Sequence, residues 1–372
     1  MKKIITAILT FISIPTIAQV EAGYYRIQNN ATERYITITD NVIAELSTSS
    51  TIVDLNNITT WKGLDNIKSN PASIIYIEPV GTKYNLSGQG ISIRDITGGQ
   101  AYVDLNLRSG LYLIQATATQ KGISVTKTLY DAANNDEYDY VRDSGAATHQ
   151  YWRIKPVNTE DNYIGITPTV QTDEGWYGTI YAAFPFKLVS DGMTAYYVDG
   201  VDEGQFRLKE ITYEVKPAAT PLIIKCSSSD AADNKIMPFY ASTTAPTDNL
   251  LGGTYFASSL TKHIARVEFN SSTMRVLGKD TDGKLIFTQP QSDYLIKKKY
   301  IPKNTCWLNV PTGLTGDFKY VSRDEFTGIH NIETSPKKNT VKGTFTLAGV
   351  QVDESNLSPG IYIKDGQKVV IP

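Results

Sequence analysis

Residues 175–200 read GWYGTIYAAFPFKLVSDGMTAYYVDG, and the chain continues to PAATPLIIKC at 217–226. Three runs rich in β-branched and aromatic residues stand out: Thr179–Val189, Thr194–Val198 and Pro221–Cys226. Asp191-Gly192, Asp199-Gly200 and a Pro/Ala/Thr break separate them, and these residue types supply turn conformations. Short runs of this kind, punctuated at intervals of roughly eight to twelve residues, predict an antiparallel sheet domain. No residue set in the stretch has a catalytic pattern, so it reads as scaffold.

The same texture extends from Asn158 to about Phe326, which predicts a β-sandwich-like domain over 158–326. Pro217-Ala-Ala-Thr220 leads into Leu222-Ile223-Ile224, and Pro302-Lys-Asn-Thr305 leads into Cys306-Trp307-Leu308. A turn-setting proline that opens a four-residue entry to a buried strand in both places points to two related halves. Between them a hairpin is expected over Met274–Leu277 and Lys284–Phe287, with Gly283 supplying a positive φ in the turn.

Toward the N-terminus, strands are expected around Tyr25–Ile27 and Tyr35–Ile38. Further strands are expected from Ser73 through Tyr130, and again at Tyr151–Pro156. The spacing of Ile58, Trp61, Leu64 and Ile67, with Asn70-Pro71 beyond, predicts a helix within 58–69. The opening Tyr25-Arg26-Ile27 and the closing Gln150-Tyr151-Trp152-Arg153-Ile154 resemble the two ends of a ricin-type β-trefoil lectin module. The resemblance covers 23–157 and implies a trefoil fold in which Trp152 is core and Gln150 ties a hairpin. One Gln-x-Trp stands where such modules usually carry three, and Thr148 and His149 stand where the sugar-binding version carries an Asn.

Both ends of the chain carry addresses. Lys2 and Lys3 precede an apolar run, Ile4–Ile17, that ends at Ala18-Gln19, so residues 1–22 are expected to be an export signal. Cleavage after Ala18 and cleavage after Ala22 are both open. Residues 327–342 hold few apolar residues and read as a linker. Asp365-Gly366 between two β-branched runs predicts a hairpin in the last thirty residues. That segment, with Leu347-x-Gly349-x-x-Val352 and Pro359-x-Gly-Ile-Tyr-Ile, resembles the C-terminal sorting tail of type IX-secreted proteins of Bacteroidota. Ala348 and Val350 depart from that pattern. With the FPFKL and MRVLG strands of the centre, the chain resembles uncharacterised secreted surface proteins of those bacteria. The resemblance implies a secreted or outer-membrane-surface location, with the secretion machinery as partner of residues 343–372.

The 372 residues carry a formal net charge of −2, 20% charged and 41% hydrophobic residues. This composition excludes a disordered chain and gives no basic footprint for nucleic acid. Tyrosine is abundant, 23 against 11 Phe and 4 Trp, as suits half-exposed strands. Cys226 and Cys306 either pair, a cross-link worth about 4 kcal/mol in the chain-entropy model, or stay as two buried thiols.

Candidate chemistry is sparse. His149, His263 and His330 are scattered without zinc-ligand spacing. Asp131–Asp143 and Asp280-x-Asp282-Gly283 are oxygen-rich but incomplete as calcium loops, and read as turns. No Gly-x-Ser-x-Gly elbow occurs, and Lys297–Lys299 reads as an edge-strand guard. No metal, cofactor or catalytic residue is therefore expected. The adjacent aromatics Tyr24-Tyr25, Trp176-Tyr177 and Tyr196-Tyr197 carry the binding hypothesis, with Tyr24, Trp176, Tyr177 and Tyr196 as the platform residues. The expected function is a non-catalytic binder of glycan or another surface polymer. The alternatives are an adhesive contact with a host or envelope protein and a polysaccharide hydrolase.

Overall fold

The computed structural model describes residues 20–38, 58–92, 102–120, 123–134, 138–142, 144–254, 267–291, 293–296 and 298–326. In the tail it describes 343–346, 351–353, 357, 359–364 and 367–371. The described residues are mostly strand, and Arg323–Phe326 is the one α-helix among them. The chain divides into two compact units, Met1–Arg323 and Asp324–Pro372.

Twelve strands between Gly23 and Pro156 join into one sheet. The strand Gly23–Asn29 is its hub: it pairs with Tyr151–Pro156, Arg34–Ile38 and Ile75–Val80. Alternation sends Ile27, Ile36, Ile38, Ile77 and Leu86 to a common core around Trp152, which is fully buried. The Trp152 Nε1 donates to the Leu129 carbonyl at 3.1 Å, so its one polar atom is satisfied. Its truncation to Ala would cost roughly 3–5 kcal/mol.

The helix expected within 58–69 does not form. Ile58–Lys62 is a strand paired with Arg34–Ile38 on one side and with Tyr138–Tyr140 on the other. Three β-branched residues in a row, Ile58-Thr59-Thr60, suit a strand better than a helix start. Gly63, at φ 76°, then breaks the chain into a single 3₁₀ turn, Leu64–Asn66. The helical spacing misleads because Trp61 and Leu64 are only half-buried, while Ile67, which is fully buried, lies beyond the strand.

The next stretch builds a ten-stranded sheet. Its order is Val170–Thr172, Gly175–Ile180, Leu222–Cys226, Thr194–Asp202, Gln205–Glu210, Phe318–Tyr320, Leu285–Thr288, Met274–Lys279, Thr305–Asn309, Leu251–Thr254. Apart from the extra edge strand Val170–Thr172, the order is symmetric about Phe318–Tyr320. In each half the first strand pairs with the fourth, the fourth with the second, and the second with the third. The repeated Pro-x-x-Thr turns match in backbone as well: Ala219 (φ 50°) and Asn304 (φ 56°) occupy the same left-handed position. Their amides donate to the Ala182 and Thr254 carbonyls at 2.8 and 2.7 Å, so each turn closes on the end of its half's first strand.

Leu222–Cys226 shows how this sheet is buried on both faces. Leu222, Ile224 and Cys226 enter a core shared with Phe186 and Ile236 of a second, four-stranded sheet, while Ile223 enters one with Phe206, Phe287 and Phe318. At Gly252 and Gly253 aromatic rings lie flat on the backbone. A Cβ would come within 2.4 Å of Trp307 at the first and 2.3 Å of Tyr181 at the second.

Residues 23–157 and 158–323 belong to one compact unit and share buried polar links. The Arg26 guanidinium is wholly buried and, among the described residues, holds no carboxylate. It donates instead to Ser73 Oγ (3.0 Å), Asn162 Oδ1 (3.2 Å) and the carbonyls of Tyr163 (2.6 Å) and Ile67 (3.2 Å). Burial pushes its pKa down to about 10, which still leaves it charged at neutral pH.

The cysteines do not pair. Both are buried and free. Cys306 Sγ donates to the Ile180 carbonyl at 3.0 Å and lies beside Leu222, whereas Cys226 is four residues further along that strand, roughly 13 Å away.

In the second unit, Thr344–Thr346, Gln351–Val352, Gly360–Lys364 and Gln367–Ile371 form an antiparallel sheet. The expected terminal hairpin is present, with Ile361 opposite Val370 and Ile363 opposite Lys368. Its Asp365-Gly366 turn, the linker 327–342 and residues 1–19 lie outside the described residues. Val20 is described and buried in the first core, with its amide donating to Tyr84 Oη at 3.2 Å.

Candidate ligand-binding site

Trp176 opens the strand Gly175–Ile180, opposite Gln171 on one neighbour and Cys226 on the other. Its ring packs at the margin of the core that holds Cys226, and its half-buried state leaves part of the ring to a cavity of about 630 Å³. That volume is in the range of small-molecule sites. The cavity's far wall is the hairpin Met274–Lys279/Leu285–Thr288 and, after it, Gln289, Pro290, Gln291, Asp293 and Tyr294. Gly278 keeps this wall thin, since a Cβ there would already meet Thr288 Cγ2 at 3.0 Å.

The rim is polar and mostly uncharged. Gln171, Gln289, Gln291 and Asp293 line it and are exposed, and Tyr294 is half-buried. Gln289 Nε2 donates to the Ser271 carbonyl at 3.0 Å, which fixes that amide and leaves its oxygen as acceptor. Burial pushes the Tyr294 phenol up to about 12, so it stays a neutral donor across the physiological range. An indole face with amides, a phenol and one carboxylate around it can stack an apolar ring face and bond hydroxyls at its edge.

The other platform residues are elsewhere. Tyr177 is buried in the opposite core, with Tyr196 packed against the same core. This is the alternation of a strand, which sends Trp176 and Tyr177 to opposite faces. Tyr24 packs on Tyr76 (centroids 5.0 Å apart) and Phe184 (5.7 Å). The four residues therefore form no common platform, and of them Trp176 alone lines this cavity. Gln289, Gln291 and Asp293 escaped the sequence reading. The signal available was the run Gln289-Pro-Gln-Ser-Asp-Tyr294, amides around a strand-ending proline.

Other sequence candidates resolve into structure. Gln150 Nε2 donates to the Ala147 carbonyl (2.9 Å), and its Oε1 accepts from Tyr130 Oη (3.1 Å). Asp131 is buried against Arg34 (3.7 Å), accepts from Thr60 Oγ1 (2.8 Å) and also bonds Thr32 Oγ1. Asp280 Oδ1 accepts the amides of Asp282 (3.0 Å) and Lys284 (2.9 Å), and Gly283 sits at φ 73°, so this segment is a satisfied turn. His149 Nδ1 lies 3.2 Å from the Asp131 carbonyl, while His263 and His330 lie outside the described residues. Lys298 and Lys299 are exposed in a turn outside any named strand rather than on a strand edge, Lys299 4.7 Å over the Tyr300 ring, and Lys297 lies outside the described residues. Among the described residues no group of three His, Cys, Asp or Glu could hold a metal ion. No helix of the described residues is long and apolar enough to cross a membrane.

Comparison with known proteins finds no matching family model, no matching curated protein and no matching solved structure.

Proposed function

We propose that this chain is an exported, non-catalytic binding protein of a bacterial surface and that its ligand is a saccharide. The Trp176 cavity carries the reading, because it joins an aromatic face to amide and carboxylate groups suited to hydroxyls. The pairing within residues 23–157 supports a β-trefoil-like, lectin-related first domain. Twelve strands are present, the first pairs with both the last and the fourth, and hairpin-like pairs join the second to the third and the tenth to the eleventh. The two-sheet burial of Leu222–Cys226 supports a β-sandwich-like second domain. The charged, apolar and small-residue order of 1–22 and the terminal hairpin support export and sorting.

A glycan array probed with the full mature protein tests the function, with Trp176→Ala as control. Retention of a defined glycan class that Trp176→Ala lowers at least tenfold is expected. Absence of retention on every glycan would overturn the reading. For the address, deletion of residues 344–372 is expected to leave the protein in the periplasm, and normal surface yield of the truncated chain would refute it.

One observation favours an adhesive protein contact as second reading. Tyr240 is 75% exposed and stacks on Tyr76 at 5.7 Å with 9° between planes. Exposed stacked aromatics are typical anchors of protein interfaces. A hydrolase is supported less, since Asp293 is the one carboxylate among the described residues lining the Trp176 cavity, and glycosidases use two.

A further inference from the structure

The duplicated sheet carries a second cavity, and the registers show that it is the counterpart of the first. Matching the turns Pro217–Thr220 and Pro302–Thr305 aligns Thr220 with Thr305. Through the pairs Ile180↔Leu222 and Gly252↔Trp307, Ile180 then aligns with Gly252, and so Trp176 with Asp248. Through Tyr196↔Ile223 and Arg275↔Leu308, Tyr196 aligns with Arg275. The hairpin pairs Tyr197↔Lys209 and Val276↔Thr288 then align Lys209 with Thr288 and Glu210 with Gln289.

The second cavity, about 720 Å³, is lined by Tyr197, by Lys209 to Tyr213, and by the segment Ser242–Asp248. The first is lined at the aligned places: Val276, Thr288 to Gln291, and Gln171 with Trp176. Each cavity thus lies where the hairpin exit of one half meets the opening segment of the other. Two cavities at aligned positions of a duplicated scaffold are one site built twice.

Its chemistry differs in a definite way. Where the first has Trp176, the second has Asp248, whose Oδ1 accepts from Tyr197 Oη (3.0 Å) and whose Oδ2 accepts from Lys209 Nζ (2.9 Å). Lys209 also lies 5.4 Å over the Tyr197 ring. Its bonds to Tyr197 and Asp248 raise its pKa further above the lysine range, and Lys209 lowers that of Asp248, so the pair is charged. The aromatic face is supplied by Tyr213, 58% exposed on the rim, and hydroxyls by Thr212, Thr243 and Thr247. A fixed carboxylate and ammonium side by side bond adjacent sugar hydroxyls as acceptor and donor.

We propose that the chain binds saccharide bivalently, through the Trp176 cavity and a second sugar site at Tyr213, Lys209 and Asp248. This rests on the saccharide reading of the Trp176 cavity. Bivalence gives a reason for keeping both halves, because two weak sites on one rigid sheet hold a polymer about 10² to 10⁴ times more tightly than either alone.

Calorimetric titration of the full mature protein with methyl glycosides of glucose, galactose, mannose and N-acetylglucosamine tests it. Two equivalents of a binding glycoside per chain are expected. Trp176→Ala and Tyr213→Ala are each expected to leave one, and Lys209→Met is expected to act like Tyr213→Ala. Tyr213 is on the rim, so its truncation leaves the fold intact, which thermal melting checks. A stoichiometry of one, abolished by Trp176→Ala and untouched by Tyr213→Ala and Lys209→Met, would overturn bivalence and leave the first site standing. Absence of heat with all four glycosides, together with a blank array, would remove the saccharide reading itself.

Discussion

Gln89 and Asn304, 215 residues apart in the chain, exchange a reciprocal pair of amide hydrogen bonds, both 3.0 Å and both buried. Each residue is in the left-handed region, at φ 52° and 56°. Asn304 also donates to the Tyr181 carbonyl at 3.0 Å. One side-chain pair thereby fixes the turn of Gln89-Gly90 in the first sheet to the repeated turn of the second half. Asn tolerates such a φ better than most residues, and its amide fills a site closed to water.

Gln89→Leu should therefore destabilise the 1–323 unit by roughly 1–3 kcal/mol, because it leaves the Asn304 amide buried and part-unpaired. Urea unfolding of Gln89→Leu, Asn304→Ala and the double variant checks this. Strong coupling is expected, with the double variant little worse than Asn304→Ala. Additive losses would show that the two amides do not act together.

Cys226 and Cys306 should remain thiols even under oxidising conditions. Burial pushes the Cys226 pKa up to about 12, and it raises that of Cys306 still further from the thiol range. A thiolate is the reacting form, so the folded protein should resist Ellman's reagent at pH 8 and release two equivalents in denaturant. A disulfide found by mass spectrometry of the unreduced protein would contradict the geometry.

How far the sequence speaks is visible in particular elements. The strand at Tyr151–Pro156 and the hairpin centred on Gly283 were legible because alternation and turn chemistry are local signals. The helix expected within 58–69 failed because strand partners at Tyr35 and Tyr138 overrode a spacing that only looked helical. Trp176 was singled out as one of an adjacent aromatic pair, and it is the member of that pair that lines a cavity. Gln289 and Asp248 were not, because each gains its meaning from a cavity wall more than a hundred residues away or a partner strand. Tyr177 and Tyr196 were misplaced by the reverse error, since neighbouring aromatics in a strand face opposite ways.

On the export reading proposed above, packing chooses between the two cleavage positions. Val20 is 7% exposed in the first core, and its amide is held by Tyr84. Cleavage after Ala18 keeps that contact, and cleavage after Ala22 removes it. N-terminal sequencing of the secreted protein should read Gln19-Val20-Glu21. A start at Gly23 with unchanged melting temperature would show that Val20 adds nothing to the core.

Lys303 gives the fold an unusual alkaline response. It is half-buried with its Nζ 6.0 Å over the Trp61 ring, and burial pushes its pKa down to about 7 from an ordinary 10.5. Between those two values the unfolded chain holds a proton there that the folded chain has released. Stability therefore gains with pH from this group through the window from about 7 to 10.5, and the gain is complete above it. Lys303→Met keeps the stem and removes the titration. Urea midpoints at pH 7 and pH 9.5 should show the wild type gaining on Lys303→Met as pH rises, with the variant the more stable of the two at pH 7. Tyr24 and Tyr294 titrate in both proteins and cancel in the comparison. Parallel pH profiles for the two proteins would mean that the Lys303 ammonium reaches water and that its burial against Trp61 does not hold in solution.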